Sequence, residues 1–181
     1  MPLPSSTELL AFWREAGPDK WFAKDEAFDG AIRARFLALC EAAARGELGA
    51  WEESPDGALA LVILLDQFPR NLFRGSPRAY ATDAAACAVA ERALGRGFDR
   101  GCDQELAFFL YMPLLHAEEL ARQERGLALF ERRGPGDGLR AAREHRDIVA
   151  RFGRFPHRNA VLGRDTSPEE QRFLDEGGFR G

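Results

Sequence analysis

The chain has 181 residues, 30% of them charged and 45% hydrophobic, with a formal net charge of −4. That is enough for one domain with its own core, too apolar for global disorder, and too acidic for a general nucleic-acid binder, which needs a basic face. The longest apolar run, residues 58–65, is far shorter than the ~20 residues that cross a bilayer, and residues 1–6 carry no leader-like pattern.

Ser5 or Ser6 is suited to cap a first helix reaching about Ala16, stopped by Gly17-Pro18. Phe28, Ile32, Phe36, Leu39 and Ala43 recur at the period of one helix face, which predicts a long helix over about residues 25–45. Leu48 and Trp51 fit a short turn. Ser54-Pro55-Asp56 opens a helix that is apolar on every side, as a helix in the middle of a bundle is. It is expected to end at Phe68, because Pro69 disfavours helix in the residue before it. Thr82 is expected to cap a helix to about Arg96 whose inner face is small: Ala86, Val89, Ala90 and Ala93.

Asp103 or its neighbour is expected to open a further helix, kinked at Pro113 and resuming from Leu114 to Arg132. Residues 134–138 read as a loop and residues 139–152 as a helix with Ala141, His145, Ile148 and Phe152 inward. Thr166-Ser167-Pro168 opens a last short helix. No window alternates with period two, so the fold class is all-α, a single domain over residues 1–181. Short connections favour stacked antiparallel helical hairpins. Cys40, Cys87 and Cys102 lack CxxC spacing and read as packed free thiols in a reducing compartment. The expected setting is cytoplasmic, with no membrane and no nucleic-acid partner.

Several blocks resemble a bacterial family called domain of unknown function 924. They are Trp21-Phe22; Phe28-Asp29 with Ile32-Arg33-Ala34-Arg35-Phe36; Asp66-Gln67-Phe68-Pro69-Arg70-Asn71; residues 74–83; Tyr111-Met112-Pro113-Leu114-Leu115-His116-Ala117-Glu118; and residues 145–164. They run in the family's order over nearly the whole chain. The resemblance implies a tetratricopeptide-like right-handed α-α superhelix and no assigned activity. One departure is Asp165-Thr166-Ser167, where the resemblance leads one to expect the two hydroxyl residues in the other order; this bears on a helix cap.

Two stretches share a signature. Gln67-Phe68-Pro69-Arg70-Asn71-Leu72-Phe73-Arg74-Gly75 and residues 151–164 both read Phe-Pro, basic residues, Asn, then Arg beside Gly. The second holds four arginines, a histidine and no acid. Guanidinium forks suit carboxylate or phosphate. The candidate ligand-binding residues are therefore Arg70, Asn71, Arg74 and Arg78 with Arg154, His157, Arg158, Asn159 and Arg164. Asn71 and Asn159 are expected to fix turns by side-chain-to-backbone bonds. Each stretch leaves an apolar helix, an arrangement that would set both at one end of a bundle. The competing structural reading has the arginines capping helices and pairing with acids, and Arg151 with Asp147 is assigned to it.

His116, His145 and His157 are the candidates for proton transfer, with Asp66 as a candidate base. His145 lies on an apolar stripe and Asp66 four residues before Arg70, so a core histidine and a structural ion pair compete with those roles. Glu105, Phe109, Met112 and His116 share a stripe if the helix survives Pro113. His116-Ala117-Glu118-Glu119 is not HExxH, and no GxxxxGK[ST] or GxSxG occurs, so no metal and no cofactor are expected. The leading expectation is a binding module that offers an Arg/His-lined groove to a small anionic ligand or peptide. The alternative is an enzyme using hydrolase-like acid–base chemistry on a small anionic substrate through His116, His145 or His157. Small helix faces and Trp21-Phe22 leave room for a homodimer.

Overall fold

Three-and-four spacing of apolar residues becomes helix throughout the computed structural model, which describes residues 3–179. Among the described residues there is no strand. The chain divides into two compact units, Met1–Arg74 with Arg78–Pro113, and Gly75–Pro77 with Leu114–Gly181. Among the described residues no helix is long and apolar enough to cross a membrane.

In the first unit a capping box starts α1 (Ser6–Ala16): Ser5 Oγ accepts the Glu8 N–H, and the Glu8 carboxylate accepts the Ser5 N–H at 2.8 Å. Pro18 then opens the short α2 (Pro18–Trp21), whose Trp21 indole donates to the Trp13 carbonyl at 2.7 Å. The Asp25 carboxylate caps α3 (Glu26–Ala44), which buries Ile32, Phe36 and Leu39 completely. After a 3-10 turn at Gly49–Glu53, Ser54 caps α4 (Pro55–Leu72). Fifteen of its eighteen residues are buried, and it packs against α1, α3 and α5 (Asp83–Gly95). An all-round apolar helix has to sit there, since each of Leu59, Ile63 and Phe68 contributes roughly 1.5–3 kcal/mol only if covered. The small face of α5, Ala86, Val89, Ala90 and Ala93, is buried as the sequence predicts.

Two expectations about proline fail, for physical reasons. The helix does not end at Phe68; α4 runs through Pro69 to Leu72. A proline inside a helix leaves the carbonyl four residues back without its donor. Here that is the Leu65 carbonyl, and the Thr82 hydroxyl donates to it at 2.5 Å. Thr82 occupies the N-cap position of α5 but makes no side-chain cap bond there. The Arg33 guanidinium donates to the Leu72 carbonyl at the end of α4. The second failure concerns residues 103–116. They form no kinked helix but a 3-10 turn, Ala107–Leu110, followed by α6 (Met112–His116). Pro113 lies in the first turn of α6, where a missing N–H loses no bond, so it opens a helix and breaks none. The stripe from Glu105 to His116 therefore does not form.

The second unit contains α7 (Leu120–Arg133), α8 (Asp137–Phe152) and α9 (Pro168–Asp175). The expected continuous helix from Leu114 is interrupted between His116 and Leu120. The buried Gln123 side chain accounts for the break, donating to the carbonyls of Leu115 at 2.7 Å and Ala117 at 2.6 Å. Gly126 lets α7 pass close to the preceding chain, since a Cβ there would lie 2.7 Å from Leu115 Cδ2 and 3.2 Å from Leu114 Cβ. Asp137 and Gly138, expected in the loop, already belong to α8. A second capping box, Ser167 with Glu170, starts α9.

Thr82→Val should strand the Leu65 carbonyl and lower Tm by about 3–6 °C, the equivalent of about 1–2 kcal/mol. In a Pro69→Ala background the loss should shrink, because alanine supplies the missing N–H. Equal losses in both backgrounds, read by thermal denaturation, would refute this role for Thr82.

Candidate functional site

The first Phe-Pro copy lies inside the last turns of α4, and its arginines are held by carboxylates of their own unit. Arg70 forks onto Asp83, Nη1 at 2.9 Å and Nη2 at 3.0 Å. Its Nη1 also lies 3.3 Å from Asp66 Oδ1 and donates to the Asp66 carbonyl. Burial opposes the Arg70 charge, but Asp66 and Asp83 outweigh it and hold the guanidinium pKa above its ordinary value. Asp66 is fully buried and also accepts from Gln67 Nε2. Asn71 Nδ2 donates to Asp29 Oδ1 at 2.7 Å, a side-chain partner where a side-chain-to-backbone bond was expected. Arg74 forks onto the same Asp29 at 2.6 and 3.1 Å. Arg78 lies 3.7 Å from Glu41 and stacks over the Phe73 ring at 3.8 Å.

The second copy leaves α8 at Gly153 and is organised around the fully buried Phe155. Glu118 Oε1 accepts the Phe155 N–H at 2.8 Å, and Arg164 Nη2 donates to the Phe155 carbonyl at 3.3 Å. Arg164 in turn forks onto Glu118 at 2.7 and 3.0 Å. Burial opposes ionisation of Glu118. The Arg164 bonds, the Phe155 N–H and the charges of Arg164 and Arg158 outweigh it, and its carboxyl stays below the ordinary carboxylate range. Arg154 forks onto the buried Glu170 at 2.6 and 2.8 Å. That pairing, against some burial and helped by the Ser167 N–H and Asn159, pulls the Glu170 pKa down to about 2. Asn159 Nδ2 donates to the Thr166 hydroxyl at 3.4 Å, a side-chain bond where a backbone bond was expected. Arg151 pairs with Glu169 at 2.9 Å, and Asp147, its expected partner, lies 2.8 Å from Arg146. Arg151 thus keeps its structural role with a different acid.

The three histidines gather in this second unit. The His116 and His145 ring centroids are 6.4 Å apart. His145 and His157 both border Phe155, at 5.3 and 5.6 Å, and both border Phe179, at 4.5 and 5.1 Å. The His145 Nδ1 lies 2.7 Å from the Ala141 carbonyl, which makes Nδ1 the protonated nitrogen and leaves Nε2 as the basic one in the neutral ring. Arg158 is buried, donates Nη1 to the His116 carbonyl at 3.0 Å and stacks over Phe155 at 4.5 Å. Arg158 and Arg164 thus set two guanidinium groups against the one carboxylate of Glu118.

Among the described residues no group of three or more His, Cys, Asp or Glu is placed to hold a metal ion. Cys40, Cys87 and Cys102 are free and buried, and burial pushes the Cys40 thiol up to about 12 and the Cys102 thiol up to about 11, away from thiolate chemistry. The first unit also has an open groove of about 380 Å³ beside Arg92 and Arg96, but Glu52 takes both forks of Arg92, at 2.7 and 2.8 Å. Sequence reasoning missed Asp29, Asp83 and Glu170 as arginine partners, and it missed Phe179. The last had a signal, an aromatic residue directly after Gly177-Gly178.

Arg70→Met should cost about 2–4 kcal/mol by leaving the buried Asp66 uncompensated, and adding Asp66→Asn should recover part of it; denaturant unfolding measures both, and no recovery would exclude the pair. Glu170 is stabilising while ionised. Its folded pKa lies near 2 against an ordinary 4.5, so the contribution is present above about pH 4.5 and fades as pH falls toward 2. Glu170→Gln should therefore be less stable than the parent at pH 7, with the Tm gap closing through that window; a gap independent of pH would contradict the assignment.

A solved structure of a protein of unknown function from Agrobacterium tumefaciens is similar along almost its whole length: 50% identity, TM-score 0.92, with 95% of this chain and 97% of that chain covered. No curated protein matches. The family model for bacterial proteins of unknown function (DUF924) matches residues 9–178. A match over nearly the whole chain shows the family, and the chain belongs to the bacterial family of unknown function DUF924.

Proposed function

We propose that this protein is a binding module for a small anionic ligand, a carboxylate or phosphate or a peptide bearing one. The receptor is the cluster of Arg158, His116, His145 and His157 in the second unit, with Arg164, forked onto Glu118, holding the backbone of Phe155 beside it. The observation that carries the reading is the gathering of His145, His157 and Arg158 around Phe155, with His116 beside His145. Guanidinium and imidazolium groups hold a carboxylate or phosphate by charge-assisted bonds. At Arg70 and Arg74 it would have to compete with Asp83, Asp66 and Asp29, so we place those residues, with Asn71, on the structural side. Arg154 is committed to Glu170 in the same way. The tetratricopeptide-like superhelix implied by resemblance and a cytoplasmic setting belong with this reading, because stacked helical hairpins commonly serve as binding scaffolds.

A second reading is favoured by one specific contact. The bond between His145 Nδ1 and the Ala141 carbonyl fixes the imidazole tautomer as an oriented general base requires, with His116 nearby. That supports acid–base chemistry on the same anionic ligand.

Isothermal titration with inorganic phosphate and with citrate should give saturable binding to the parent chain. Arg158→Gln should weaken it by about tenfold or more, the scale of one charge-assisted contact. Arg78→Gln should leave it unchanged. No binding at millimolar concentration, or equal binding by the Arg158 variant, would refute the proposal.

A further inference from the structure

Val89, Arg92 and Ala93 recur at steps of three and one, so they share a face of α5 that Arg96, its C-cap residue, continues. Between that face, the start of α4 and the 3-10 turn Gly49–Glu53 lies the open groove of about 380 Å³ in the first unit. Such a volume falls within the range of roughly 300–1,000 Å³ found for small-molecule sites. Its floor is small and apolar, made by the buried Ala58, Val89 and Ala93. The turn contributes the carboxylates of Glu52 and Glu53, and α5 contributes the guanidinium groups of Arg92 and Arg96, so the formal charges cancel. The turn is held in place. Gly57 in α4 lies so close to it that an added Cβ would run into the Trp51 carbonyl, and Arg96 Nη1 donates to the Glu52 carbonyl at 2.7 Å.

The four charges are not equally committed. Arg92 sets Nε and Nη2 on Glu52. Arg96 Nη2 and Glu53 Oε2 stand 3.6 Å apart, with side chains 45% and 77% exposed. Among the described residues neither Nε nor Nη2 of Arg96 makes a hydrogen bond, and its guanidinium rests over the Phe98 ring at 4.3 Å. An exposed pair at that distance contributes little, so exchanging it for a ligand costs little.

We propose that this groove is a binding site for a small zwitterion with an aliphatic side group, the chemistry of a free aliphatic α-amino acid. The ligand carboxylate takes Nε and Nη2 of Arg96, a charge-assisted pairing. Its ammonium takes Glu53, and its side group covers Ala58, Val89 and Ala93. A lone carboxylate would stand beside Glu52 and Glu53, and a lone amine beside Arg92 and Arg96; only a dipolar ligand is matched on both walls. The site is separate from the anion receptor proposed in the second unit and does not depend on it.

The test is a ligand-observed nuclear magnetic resonance titration of the full chain with L-valine. Three controls each lack one feature: isovalerate the ammonium, isobutylamine the carboxylate, and glycine the side group. Valine should saturate in the millimolar range, and each control should bind about tenfold or more weaker. Two variants change the groove from exposed positions. Glu53→Gln removes the partner of the ammonium. Gly49→Leu fills the groove, since an added Cβ at Gly49 has nothing within 4 Å. Each should weaken valine about tenfold while the circular dichroism spectrum stays that of the parent. Valine that fails to saturate, any control that binds as well as valine, or unchanged valine binding in either variant would overturn the proposal.

Discussion

A carboxylate buried among helices has to be paired with a cation or give up its charge, and this constraint decides where the arginines go. Asp66 and Glu170 are buried. Arg70 and Arg154 answer them, and each bond that holds a carboxylate also holds a chain reversal. Arg70 ties the last turns of α4 to the start of α5 through Asp83. Arg154 ties the exit of α8 to the capping box of α9. Arg164 and Glu118 together take up both backbone groups of Phe155. A basic signature in a sequence can thus be mainly a signature of folding. Breaking one partner of such a pair costs more than the pair contributes, because the remaining charge is left buried.

The need to meet every buried polar group also explains the helix ends. The Leu65 carbonyl released by Pro69 is met by Thr82. The carbonyls of Leu115, His116 and Ala117, where helix stops before α7, are met by Gln123, Arg158 and Gln123 again. These local expedients let a proline lie inside the most buried helix and let a buried chain break between α6 and α7.

What the sequence made legible follows from the range of the forces involved. The helix entries at Ser5 or Ser6 and at Ser54, the all-round apolar α4 and the small face of α5 depend on neighbours in the chain, and they read directly. The run through Pro69 was hidden because its remedy, Thr82, lies seventeen residues from Leu65. The start of α6 at Met112 was hidden because Pro113 is equally at home in a first turn and at a break. The arginines stood out in the sequence, but their partners did not. Asp29 is forty-five residues from Arg74 and Glu118 forty-six from Arg164, so spacing alone left ligand and ion pair as equal alternatives. The convergence of His145 and His157 on Phe155, with His116 beside His145, is likewise tertiary, since their separation in sequence carries no trace of it.

The claim that the cluster of histidines with Arg158 receives an anion is the centre of the account. The chain has three histidines, so its imidazole resonances report the cluster without labelling other sites. Titrating inorganic phosphate at constant pH and ionic strength, with chloride as the matched control, tests the claim directly by nuclear magnetic resonance. Saturable shifts of the histidine signals with phosphate and none with chloride are the predicted result. Histidine signals that respond identically to phosphate and chloride would contradict it.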